Sequence, residues 1–160
     1  NDGVQTGTHR TWLDPSGGMK AMLASPRRAM GNILGNAVRF GHADDVMIAG
    51  EGIETMLSLR EILPTMPMAA ATSSAHLAAI MFPPTLQRLY VARDRDAAGD
   101  AAFGILTDRA QAAGIELMSL MPELGDFNDD LREHDASVLG QQVCLLLHEH
   151  DRTRFFNDTG

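Results

Sequence analysis

The sequence predicts an α/β domain: a parallel sheet with helices on both faces, preceded by a small β-rich lead-in. Three observations carry this. Two apolar runs, Val46-Met47-Ile48-Ala49-Gly50 and Leu89-Tyr90-Val91-Ala92, read as buried strands. Helical periods follow both runs, and strand–helix alternation with short loops builds parallel sheets. Each run also ends just before acid, Glu51 after the first, Asp94 and Asp96 after the second. The carboxyl edge of an open α/β sheet is where ligands bind. Carboxylates gathered there repel one another unless cations sit among them, and such hard oxygen ligands suit Mg²⁺ or Mn²⁺.

The lead-in, residues 1–43, comes first. Residues 8–13 contain β-branched and aromatic side chains and predict a strand. Asp14-Pro15-Ser16-Gly17-Gly18 follows as a turn. Residues 20–23 are expected to be the return strand. Ser25-Pro26-Arg27-Arg28 reads as a loop or helix start, residues 31–35 as loop, and residues 37–40 as a short strand.

The core, residues 44–135, begins with the strand 46–50. Ile53, Met56, Leu57 and Leu63 then share a helical face, and Pro64 ends the helix. Residues 68–71 form a small-residue strand. Ser73 or Ser74 caps a short helix running to Ile80, and Pro83-Pro84 breaks the chain. After the strand 89–92 comes an Ala-rich helix, with Ala98, Ala101, Ala102 and Ile105 on one face and Gly114 at its C′ position. Residues 115–121 are the next strand, and 126–132 a loop turning into helix. In the remainder, 136–160, Leu139, Val143, Leu146 and Leu147 mark a final helix, and 152–160 a loose tail.

At 160 residues the chain can bury one real core. It has no apolar run near the roughly 20 residues of a membrane span, and its polar start is not a signal peptide. The absence of an initiating Met suggests an excised piece of a longer protein, or one that lost a short leader. Cys144 is the single cysteine, so no internal disulfide and no cysteine-based zinc site exist, consistent with a cytoplasmic location. Charge is uneven. Residues 1–41 carry five basic side chains against two acids, a net of +3, leaving −11 for the rest. A strongly basic nucleic-acid binder is excluded, whereas an acidic metal site beside a small basic region is not.

Glu51 lies between Gly50 and Gly52, which leave room for a phosphate or metal to approach the backbone. Asp94 and Asp96 would share a face if both belong to the strand end. Asp100 lies one turn on. A third acidic segment, Gly125-Asp126-Phe127-Asn128-Asp129-Asp130, supplies Asp126 and Asp129 as further ligands. Taken singly, each segment also reads as helix caps and first-turn acids.

Together the three segments resemble the Toprim domain, shared by topoisomerases, bacterial-type primases and some nucleases. That family has a Glu after its first core strand, matched by Glu51, then Asp-x-Asp after a later strand, matched by Asp94 and Asp96. Asp126-Phe127-Asn128-Asp129 is similar to the further acidic element of primase-type members. The stretches GTHRTWLDPSGGMKA, LGNAVRFG and GEGIETMLSLR are similar to primase-like Toprim proteins of plasmids, phages and integrated elements, which often carry a helicase domain. The resemblance implies a Rossmann-like Toprim fold and a Mg²⁺-dependent nucleotidyltransferase that makes short RNA primers on single-stranded DNA. It implies Glu51, Asp94 and Asp96 as catalytic residues, and the same three with Asp126 and Asp129 as ligands for Mg²⁺ or Mn²⁺. Arg10, Lys20, Arg27, Arg28 and Arg39 would contact nucleotide or template phosphates. Single-stranded DNA, nucleoside triphosphates and a helicase domain or subunit are the expected partners. No zinc-binding cysteines or histidines precede the domain in this sequence, though primases usually have such a module, and basic residues are fewer, so an upstream part is expected.

Rival readings use the same residues. A Toprim nuclease would employ the same acids for phosphodiester cleavage. A non-catalytic module would bind DNA or dock a helicase, but would be expected to lose an acid. A topoisomerase needs a catalytic Tyr, and Tyr90, the single Tyr, sits in a predicted core strand. A phosphotransferase with Asp-x-Asp as nucleophile and acid usually wants Thr or Val where this chain has Ala98.

Overall fold

The structure is a computed structural model that describes residues 4–16 and 19–156. Gly17 and Gly18 of the predicted turn, and residues 157–160 of the predicted tail, lie outside the described residues. A five-stranded sheet forms the centre, in the order β3-β5-β4-β6-β7. β3 (Val38–Phe40) runs antiparallel to β5 (Met68–Ala70) at one edge. β4 (Val46–Gly50), β6 (Arg88–Ala92) and β7 (Glu116–Leu120) are parallel to β5 and to one another. From β4 the chain first builds β5 on one side, then crosses to place β6 on the other. The carboxyl edge between β4 and β6 is therefore a topological switch point, where helices leave a crevice.

Alternation along the buried strands divides the core into two layers. Val46, Ile48, Met68 and Tyr90 face α1 (Ile53–Ile62), α4 (Phe127–Glu133), α5 (Ala136–Leu146) and α6 (Glu149–Phe156), through Met56, Leu59, Phe127, Leu139, Val143 and Phe155. Met47, Ala49, Ala69, Leu89 and Val91 face the other way. They meet α2 (Ser74–Ala78) and α3 (Ala97–Ala112) through Leu77, Ala102, Leu106 and Ala110. Among the described residues no helix is long and apolar enough to cross a membrane.

The lead-in differs from its prediction. β1 (Gly7–Thr11) pairs antiparallel with β2 (Arg27–Gly31), not with residues 20–23, which make one isolated bridge, Leu13 to Lys20. Ala29 and Gly31 disfavour a strand by propensity, but pairing with β1 overrides it. The crossing at Gly7 and Gly31 needs two glycines: a Cβ on Gly31 (φ +94) would stand 2.8 Å from the Gly7 Cα. The predicted turn begins as expected, Asp14 accepting hydrogen bonds from the Ser16 backbone N–H (2.9 Å) and hydroxyl (2.6 Å).

Two further expectations are corrected. The buried stripe of α3 is Gly99, Ala102, Leu106 and Ala110, with Ile105 exposed. Gly99 sets that phase by pressing against the Asp94 backbone. The segment from Arg152 is also no loose tail up to Phe156: it belongs to α6. Asp151 of α6 is fully buried. It accepts from the Tyr90 hydroxyl (2.7 Å) and the Arg88 guanidinium (2.7 Å), while Phe155 packs into the core.

Candidate functional site

The crevice at the switch point is built by register. Gly50 of β4 pairs with Ala92 of β6, and Ala92 with Leu120 of β7. Glu51 therefore leaves the sheet beside Arg93-Asp94, and the loop after β7 brings Asp126 to the same edge. Glu51, Asp94 and Asp126 line one cleft of about 490 Å³. His9, Thr11, Lys20 and Arg27 of the lead-in line the same cleft.

Asp94 and Asp96 are separated by a tight turn rather than spaced along a strand. β6 ends at Ala92, and the Asp96 N–H donates to the Asp94 carbonyl (2.9 Å). The Asp96 side chain caps α3, accepting from the Gly99 N–H at 2.7 Å. It does not line the cleft, but its charge reaches both Glu51 and Asp94. Gly99 lets α3 start this close: a Cβ there would lie 2.5 Å from the Asp94 carbonyl oxygen. Arg95 ties the turn to the next loop, donating through Nε to the Pro122 carbonyl (2.7 Å) and through its backbone N–H to the Gly125 carbonyl (2.9 Å).

Asp126 caps α4, accepting from the Asn128 and Asp129 N–H groups at 2.8 Å each, and also faces the cleft. Asp129 points elsewhere, into a shallow surface depression with Arg132 and Glu133. Asp130 is buried and accepts from the Glu123 and Leu124 N–H groups (2.8 and 2.7 Å), so it shapes the loop. Asp100 pairs with Arg93 and stands outside the cleft.

The predicted basic set is divided. Strand alternation puts Arg27 in the cleft, and the isolated bridge to Leu13 carries Lys20 there, whereas Arg10 and Arg28, opposite each other across the hairpin, lie outside it. Arg39 lies in β3 beside a different depression. Sequence reasoning singled out neither Thr11, Thr72 nor Asn128, all of which line the cleft. Thr11 carried a signal, being in phase with His9. Thr72 carried none: its left-handed backbone (φ 73) is rare for a β-branched residue, and its N–H donates to the Glu51 carbonyl (2.8 Å).

The acids are electrostatically frustrated. Burial, and then the charges of Glu51, Asp126 and Asp96, push the Asp94 carboxyl from 3.8 up to about 6. Burial and the Asp96 charge raise the Glu51 carboxyl, while Arg27 and a hydrogen bond from the Ser74 backbone oppose the rise. The Asp94 Oδ1 atom is buried with no hydrogen-bond partner among the described residues, a costly state for a carboxylate oxygen. Among the described residues no three acidic, His or Cys side chains already stand close enough to grip an ion. An orphaned buried oxygen in an all-carboxylate set fits a hard divalent cation that would draw the acids together. Tyr90 has no such chemistry. It is fully buried, and burial followed by its hydrogen bond to Asp151 raises its phenol well above the usual range.

Residues 46–137 match the family described as the Toprim domain, and the chain belongs to that family. Toprim domains in general bind divalent metal ions. Residues 1–40 match a second family, described as a domain of unknown function (DUF7146). No curated protein matches the chain. Among solved structures, the fold is similar to the crystal structure of the primase fragment of the bacteriophage T7 primase-helicase protein, with a TM-score of 0.56 and 17% identity. The match covers 73% of this chain and 52% of that one, so the chain spans about half the length of the structure it matches.

Proposed function

We propose that this chain is the Mg²⁺- or Mn²⁺-dependent nucleotidyltransferase core of a DNA primase, joining nucleoside triphosphates into short RNA primers on single-stranded DNA. One observation carries the reading: three carboxylates at the carboxyl edge of the sheet and two cations of the lead-in line one cleft. The similarity to a primase fragment agrees with it. In this reading Asp94, Glu51 and Asp126 hold the metal. Asp96 adds negative charge and fixes the start of α3; Asp129 lies outside the cleft. When bound, divalent cations supply charge neutralisation for the triphosphate and activation of the attacking 3′-hydroxyl. Lys20 and Arg27 hold phosphate in the cleft, Arg10 and Arg28 extend the basic surface outside it, and Arg39 lies further along the chain's path. A helicase domain or subunit is the expected neighbour.

The test is a gel assay with labelled nucleoside triphosphates, single-stranded DNA and Mg²⁺ or Mn²⁺, comparing wild type with Asp94→Asn. Short products that disappear in the mutant are expected. A shortened template instead would assign the same acids to a nuclease, and no change to either strand would leave a binding module.

A further inference from the structure

An ion pair joins two elements that line the cleft. The Arg27 guanidinium of β2 lies 3.3 Å from the Glu54 carboxylate in the first turn of α1. Both residues line the cleft. The contact spans from β2 to α1. The lining charges are unequal. Glu51, Glu54, Asp94 and Asp126 oppose Lys20 and Arg27, and Glu54 occupies one of those two cations.

The pair is easily exchanged. Its side chains are 41% and 53% exposed, and such surface pairs are weak. A phosphate offers a guanidinium two parallel charge-assisted hydrogen bonds and more negative charge than a carboxylate. Resting on the reading of this cleft as a phosphate-binding one, we infer that Glu54 is a positioning residue that holds Arg27 in reserve. A phosphate of the nucleic-acid backbone or of a nucleoside triphosphate displaces the Glu54 carboxylate and takes the guanidinium. Glu54 thus opposes binding through Arg27 rather than through general repulsion.

A double-mutant cycle tests this. Wild type, Glu54→Gln, Arg27→Ala and the double variant are titrated with Mg²⁺ against a fluorescein-labelled oligothymidylate and, separately, a fluorescent nucleoside triphosphate. Both positions are exposed, so all four proteins should melt alike. Glu54→Gln should bind about 2- to 5-fold more tightly, the range set by an exposed ion pair. Its salt dependence should also steepen. Arg27→Ala should bind more weakly, and the double variant should match it, the gain from Glu54→Gln having vanished. A gain confined to one probe assigns Arg27 to that phosphate. An equal gain with and without Arg27, or no gain at all, overturns the inference while leaving the cleft's function intact. No binding of either probe by any of the four proteins overturns both.

Discussion

Removing the Asp94 charge should stabilise the metal-free protein. The Asp94 carboxyl rises from 3.8 to about 6 because of burial and its acidic neighbours, and each tenfold change in proton affinity is worth about 1.4 kcal/mol. Two such factors make about 3 kcal/mol, and partial exposure to water cuts this to about 1–2 kcal/mol. The folded state binds the proton more tightly than the unfolded chain. The penalty is therefore fully present above about pH 6 and is relieved as pH falls toward 3.8. For a chain of this size 1 kcal/mol moves Tm by about 2–4 °C. Asp94→Asn should accordingly melt about 4 °C above wild type at pH 8 in chelator, with the margin closing toward pH 4. Saturating Mg²⁺ should reverse the order. At 100 times its Kd a ligand adds about 2.7 kcal/mol, which the mutant forgoes. Differential scanning fluorimetry with and without metal measures all of this. A mutant that melts below wild type in chelator, or by the same margin at both pH values, would refute the frustrated-acid argument.

Three further outcomes are expected. Lys20→Ala should weaken binding of single-stranded DNA and lower the log–log salt slope by about 0.7, one lost phosphate contact. Arg10→Ala, outside the cleft, should change the slope by less than half as much, as anisotropy titrations at several salt concentrations will show. Gly99→Ala places a Cβ 2.5 Å from the Asp94 carbonyl oxygen. Since that atom is backbone, the overpacking should cost about 1–3 kcal/mol in denaturant unfolding and weaken metal binding through displacement of Asp94. Asp151→Ala strips a buried partner from Arg88 and Tyr90. It should cost about 3–5 kcal/mol, a fall in Tm of roughly 10 °C.

The strands 46–50 and 89–92 were legible because strands buried on both faces are written as continuous apolar runs. Glu51 and Asp94 were legible as their C-terminal neighbours. Asp96 and Asp126 were legible as acids, but their capping hydrogen bonds to Gly99, Asn128 and Asp129 depend on where α3 and α4 start. Asp151 was not legible, since a charged residue near a polar chain end reads as surface until α6 packs onto Tyr90.

The sequence by itself therefore determined the α/β class and the edge of the sheet that carries acid. Both follow from local patterns: hydrophobic period and strand termination. Tertiary structure alone decided which residues meet. Pairing of β1 with β2 gave Arg27 to the cleft and left Arg10 and Arg28 outside it, and the Leu13–Lys20 bridge brought in Lys20. The turn after β6 aimed Asp94 inward and spent Asp96 on a helix cap. A strand's two faces differ by one residue of register, and register is fixed by partners distant in sequence, which no local pattern encodes.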